Sequence, residues 1–173
     1  FWSDSTGMQD PRVGGIIVDE FPGGSDDPRF IAWADAVNKL YQNPKFKDKL
    51  FYPFHYGKPI YDGTTSKVFT DTIIKHKGKF VIEYYIPEKP DAQKLLNAFE
   101  RFQNDIGGWQ KAYPDGARNL VLGFGYESAP RESLNMDPSV DFKWLMDKQM
   151  NVVANDPRFV GLYGIHHYKN AYA

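Results

Sequence analysis

Ten residues able to move protons or hold a hydroxyl-rich ligand stand at the ends of short apolar runs. They are Asp19, Glu20, His55, Tyr56, Glu83, Tyr85, Tyr126, Glu127, His166 and His167. Carboxylates and imidazoles serve as general acids and bases when their surroundings tune them. Tyrosine pairs a flat apolar body with a polar tip, which suits the face of a sugar ring. The runs they close are Ile16–Phe21, Phe51–Tyr56, Phe80–Tyr85, Leu120–Glu127 and Phe159–His167.

Segments of helical periodicity separate these five runs. Strand alternating with helix is the pattern of a parallel sheet with crossover helices. Ligands in such folds bind at the C-terminal ends of the strands. After the first run, Pro22-Gly23-Gly24 forms a loop, and Asp27 with Pro28 opens a helix whose inward face is Phe30, Trp33, Ala34, Val37, Leu40 and Tyr41. A second helix is expected from Thr64, with Val68, Phe69, Thr72 and Ile73 inward, ending by Gly78. A third starts near Asp91, buries Leu95, Leu96, Phe99, Phe102 and Ile106, and is broken at Gly107-Gly108. A fourth follows Asp137-Pro138, with Phe142, Leu145, Met146 and Val153 inward.

A Rossmann sheet would place a glycine-rich phosphate turn after its first strand, and Pro22-Gly23-Gly24 does not match one. A barrel explains better why every run ends in polar residues, because its strand ends converge on one mouth. Period-two alternation groups Val18 with Glu20, leaving Asp19 and Phe21 on the other face. It likewise groups Val81, Glu83 and Tyr85, and separately Val121, Gly123, Gly125 and Glu127. The small Gly123 and Gly125 leave room beneath Glu127. Of His166 and His167, alternation sends one inward and one outward.

The chain has 173 residues, enough for one ordinary domain, and 42% of them are hydrophobic. A net charge of -1 gives no reason to expect nucleic acid or an anionic membrane as partner. Without cysteine there are no disulfides, thiolate metal sites or cysteine nucleophiles. That does not fix the compartment, since many exported bacterial proteins also lack cysteine. The segment Met8–Gly15 echoes Asn155–Gly161, each holding Asp-Pro-Arg shortly before an apolar run. The second copy follows a helix. The expectation is that residues 1–173 are a partial barrel domain of a longer polypeptide. Such a domain would be stable only with the remainder of the barrel or a second chain.

Glu20 ends one run and Glu127 ends the third run after it. In this the chain resembles the clan of retaining glycoside hydrolases built on the (β/α)8 barrel. There the acid/base glutamate ends strand four and the nucleophilic glutamate ends strand seven. The resemblance implies the second half of such a barrel and a carbohydrate substrate. It also implies Glu20 as acid/base, Glu127 as nucleophile, and no cofactor or metal. Asp19, His55, Tyr56, Glu83, Tyr85, Tyr126, His166 and His167 would line the substrate. The chain departs from the clan in two places. Asp19 stands where an Asn usually precedes the acid/base, and Tyr163 with the His pair stands where strand eight often carries Trp.

Each residue also has a plainer assignment. Glu20 pairs with Arg29 or caps the next helix, Glu127 pairs with Arg131, Glu83 forms a buried salt bridge, and His55 fills space. Tyr56, Tyr85, Tyr126 and Trp109 serve as packing, and His76 answers the negative end of its helix. Two other functions stay open. One is a metal-dependent barrel, hydrolase or isomerase, with His55, Glu83, Glu127 and His166 as ligands. The other is a carbohydrate-binding or structural barrel without catalysis.

Overall fold

The computed structural model describes residues 2–19, 21, 24–58, 60–86, 91–127, 139 and 141–170, without the side chains of 126, 127, 169 and 170. The fold is α/β with five parallel strands, β1 (Gly15–Val18), β2 (Leu50–Tyr56), β3 (Phe80–Glu83), β4 (Leu120–Glu127) and β5 (Gly164–Asn170), in sheet order identical to chain order. The helices are α1 (Thr6–Gln9), α2 (Arg29–Gln42), α3 (Thr64–Lys75), α4 (Ala92–Ala112) and α5 (Phe142–Asn155). None of these is long and apolar enough to cross a membrane. The chain divides within β3 into two compact units, residues 1–81 and 82–173.

In the first unit β1 runs parallel to β2, with Ile16 opposite Phe51 and Val18 opposite Pro53. The Lys79 N–H donates to the Phe51 carbonyl and so brings in the start of β3. Helix α2 presents Phe30, Ala34, Val37 and Leu40, all buried at helical spacing. Its first turn is set by Asp27, whose carboxylate accepts the Arg29 N–H and grips the Arg29 guanidinium at 2.6 Å. Arg29 is therefore engaged by Asp27. Phe69 on α3 joins the layers, with ring centroids 5.2 Å from Phe21, 5.5 Å from Phe30 and 6.2 Å from Phe80. On α3 the expected inward Val68 is exposed, and Ser66 and Thr70 are buried instead. They have uses there: the Ser66 Oγ accepts the Gly63 N–H, and the Thr70 hydroxyl donates to the Ile60 carbonyl.

The loops after β1 and β2 are tied to each other. Ser66 N–H donates to the Ser25 carbonyl at 3.1 Å, Thr64 N–H to Asp26 Oδ1 at 2.6 Å, and Thr65 Oγ1 to the Asp27 carbonyl at 2.9 Å. The Ser25 hydroxyl also donates to Asp62.

In the second unit Leu120, Leu122 and Phe124 of β4 are fully buried on one face. Phe124 packs edge-on to Phe102 of α4, and Phe102 lies 5.0 Å from Phe159. Asp91 caps α4, accepting the N–H groups of Gln93 and Lys94. The helix does not break at Gly107-Gly108 but continues to Ala112. Trp109, fully buried one turn beyond Ile106 and two beyond Phe102, holds it in register. Gly107 is small for a reason: a Cβ there would stand 2.9 Å from Arg158 Cδ. On α4 Leu96 is exposed, and on α5 Val152 takes the buried place expected for Val153.

β5 starts later than its apolar pattern indicates. Asp156 caps a short 3-10 turn over Pro157–Phe159, and Gly161 reverses the chain with φ 84° before β5 begins at Gly164. His166 and His167 consequently lie mid-strand.

Candidate functional site

Two faces of the sheet can be told apart in the second unit from what each residue touches. Tyr84 points to the helices: its hydroxyl donates to Asp105 Oδ2 at 2.8 Å and its ring lies 4.6 Å from Phe102. Alternation then places Glu83 and Tyr85 on the opposite face. The Tyr84 N–H donates to the Gly123 carbonyl at 2.8 Å and aligns this stretch with β4. The Tyr85 ring covers Gly125 so closely that a Cβ there would meet its Cδ1 at 2.8 Å and its Cγ at 2.9 Å.

β4 and β5 pair Gly123 with His166 and Gly125 with Tyr168. This brings His166 and Tyr168 to the face of Glu83 and Tyr85. The rings of Tyr85 and Tyr168 stack, with centroids 6.2 Å apart and planes inclined by 16°. His167 is opposite Phe124, ring to ring at 6.5 Å, and so belongs to the other face. One His inward and one outward is the arrangement that alternation gives. The Cα of Glu127 pairs with Asn170 at the C-terminal end of the same strands. The side chains of Glu127 and Tyr126 lie outside the described residues.

Tyr168 was not among the expected site residues. The signal that finds it is the Asp156-Pro157 turn. Once β5 is started at Gly164, period two runs through Gly164, His166 and Tyr168.

In the first unit Asp19 is exposed just beyond the end of β1. Tyr56, the last residue of β2, is 71% exposed. His55 shares the face of Phe51 and Pro53 by alternation, and it is buried. Its Nδ1 has no hydrogen-bond partner among the described residues. Burial pushes the imidazole below the usual histidine range, and the Tyr56 backbone opposes this more weakly. His55 is thus a neutral ring at neutral pH. Glu20 lies outside the described residues. Phe21 corrects the simple alternation around it. Phe21 packs against Phe51, Trp33 and Phe69, on the helix side where Ile16 and Val18 also sit. The expected placement of Phe21 across the sheet from Val18 therefore fails, because the regular strand stops at Val18.

Trp109 packs against Tyr113 at 4.8 Å and is fully buried, which makes it a core residue. His76 stacks on Tyr41 at 4.5 Å, with Nε2 2.9 Å from Asn38 Oδ1, and serves to join α2 and α3. Among the described residues no group of three or more His, Cys, Asp or Glu is arranged to hold a metal ion. The metal-ligand set weighed above includes Glu127, whose side chain is outside them.

Comparison with family models, with curated proteins and with solved structures gives no match to this chain.

Proposed function

We propose that this chain supplies strands four to eight of a (β/α)8 barrel that hydrolyses glycosides with retention. Glu127 is the nucleophile and Glu20 the acid/base in this scheme. The observation that supports it most is the aromatic and polar face made by Glu83, Tyr85, His166 and Tyr168. It surrounds the glycine pair two and four residues before Glu127. A sugar ring laid there would bring its anomeric carbon toward the end of β4.

The chemistry needs two carboxyl groups. One protonates the departing glycosidic oxygen, while the other attacks the anomeric carbon and forms a glycosyl ester. Water then releases the sugar, with the first group acting as base. In retaining enzymes the two groups lie about 5–5.5 Å apart. In sequence Glu20 follows β1 by two residues, Glu127 is the last residue of β4, and β1 and β4 are three apart in sheet order.

A panel of aryl glycosides, assayed with and without chelator, tests the proposal. Cleavage that resists chelator and vanishes in Glu127→Gln supports it. Cleavage abolished by chelator points to the metal-dependent alternative. Saturable sugar binding with no turnover points to a binding domain.

A further inference from the structure

We infer that Tyr168, backed by Tyr85 held over Gly125, forms an aromatic shelf selecting pyranosides with equatorial hydroxyls, of gluco or xylo configuration. The inference rests on the carbohydrate reading above and adds the class of sugar to it. Three contacts build the shelf. The Tyr85 ring lies on the Gly125 backbone, where any side chain would displace it. Gly125 is the register partner of Tyr168. The two rings stack with planes inclined by 16° and centroids 6.2 Å apart, so Tyr85 supports the Tyr168 ring from beside the sheet.

Tyr168 keeps 42% of its surface exposed, so its ring has area left to offer a ligand. An aromatic face carries negative charge density and attracts polarised C–H bonds. A pyranose with equatorial hydroxyls turns its C–H bonds up and down and so presents a flat apolar face. An axial hydroxyl on that face would hold the ring away from Tyr168 and lose contact with it. His166, opposite Gly123 two pairs before Tyr168, and Glu83, by alternation, supply polar groups on the same face for the equatorial hydroxyls.

The test is calorimetric binding to the full chain carrying Glu127→Gln, which prevents turnover. The probes are β-1,4-linked tetrasaccharides of glucose, xylose and mannose and an α-1,4-linked tetrasaccharide of glucose. A glucose or xylose tetrasaccharide is expected to bind more tightly than the mannose one. Tyr168→Ala should weaken it by about tenfold or more, the loss of roughly 1.4 kcal/mol. Tyr168→Phe should stay within about threefold of the parent, because the stacking face survives. Gly125→Ala should weaken binding like Tyr168→Ala, and thermal melts of each variant exclude unfolding as the cause. Preference for the mannose probe, no binding of any probe, or unchanged affinity in Tyr168→Ala would overturn the shelf, and the α-linked probe reads the linkage separately. Glycoside cleavage in the parent chain is read separately. Cleavage without shelf dependence removes this inference alone, and shelf-dependent binding without cleavage removes the catalytic proposal alone.

Discussion

Replacing Asp156 by Asn should destabilise the fold by about 1–2 kcal/mol at neutral pH and by only a small part of that at pH 2, where the carboxyl is about half protonated. Asp156 accepts the Arg158 N–H at 2.9 Å, the Arg158 Nε at 2.9 Å, the Arg158 Nη2 at 2.6 Å and the Gln103 Nε2 at 2.6 Å. The Arg158 guanidinium also donates to Asn104 Oδ1 at 3.1 Å, which ties the turn to α4. The Arg158 guanidinium above all, helped by the Arg158 N–H and Gln103, holds this carboxyl at about 2 against an ordinary value of 3.8. Taken in full, that difference corresponds to about 2.5 kcal/mol at most. The Arg158 side chain is 36% exposed, so solvent screening brings the contribution down to about 1–2 kcal/mol.

The sign follows from proton binding. Between the two values the unfolded chain binds more protons at this site than the folded one, so stability falls as pH falls from 3.8 toward 2. Above 3.8 the contribution is fully present. In the variant one oxygen becomes an amide that faces two donors, so the loss is at least that of the charge. Urea unfolding of both proteins at pH 7, 5, 3.5 and 2 measures the difference directly. A gap that stays constant down to pH 2, or one under about 0.3 kcal/mol at pH 7, would refute the reasoning. The turn also fixes where β5 begins, so the same variant should weaken sugar binding at Tyr168.

Other outcomes follow from the same packing. His55 has a lowered value because it is buried, so its protonation opposes folding and stability should drop as pH falls below 6.5. A His55→Leu variant should therefore gain on the parent between pH 7 and 5 in urea unfolding, and a parallel pH response in both proteins would contradict this. Phe69→Ala removes the ring that joins Phe21, Phe30 and Phe80 and should cost about 3–5 kcal/mol, with a loss below about 1 kcal/mol as the contrary result. In Glu20→Ala, azide should partly restore turnover of substrates with good leaving groups, because the attacking carboxylate survives; no restoration would remove Glu20 from the acid/base role.

Much of the fold was legible because each strand is a short apolar run bounded by turn residues, and each long helix carries a 3.6-residue stripe. What escaped had local causes. The 3-10 turn capped by Asp156 absorbs Phe159 and delays β5, and a pattern of apolar residues cannot register that delay. Gly107-Gly108 reads as a helix breaker in sequence. The burial of Ile106 and Trp109 and the approach of Arg158 keep the helix intact there. At the site, alternation gave His166 and His167 opposite faces, as the pairing of β4 with β5 and the ring contact of His167 with Phe124 have them. It failed at Phe21, where β1 has already ended, and it left out Tyr168 because the strand was started too early. For His55, position at a strand end said nothing about face, and its parity with Phe51 and Pro53 goes with burial.

If Glu127 is the nucleophile, as proposed, it forms a covalent bond to the sugar. Incubation with an activated 2-deoxy-2-fluoro glycoside slows release of the glycosyl ester and allows the labelled peptide to be identified by mass spectrometry. The predicted result is a single sugar adduct on Glu127, absent in Glu127→Gln. An adduct on another carboxylate such as Glu83, or glycoside turnover retained in full by Glu127→Gln, would contradict the account.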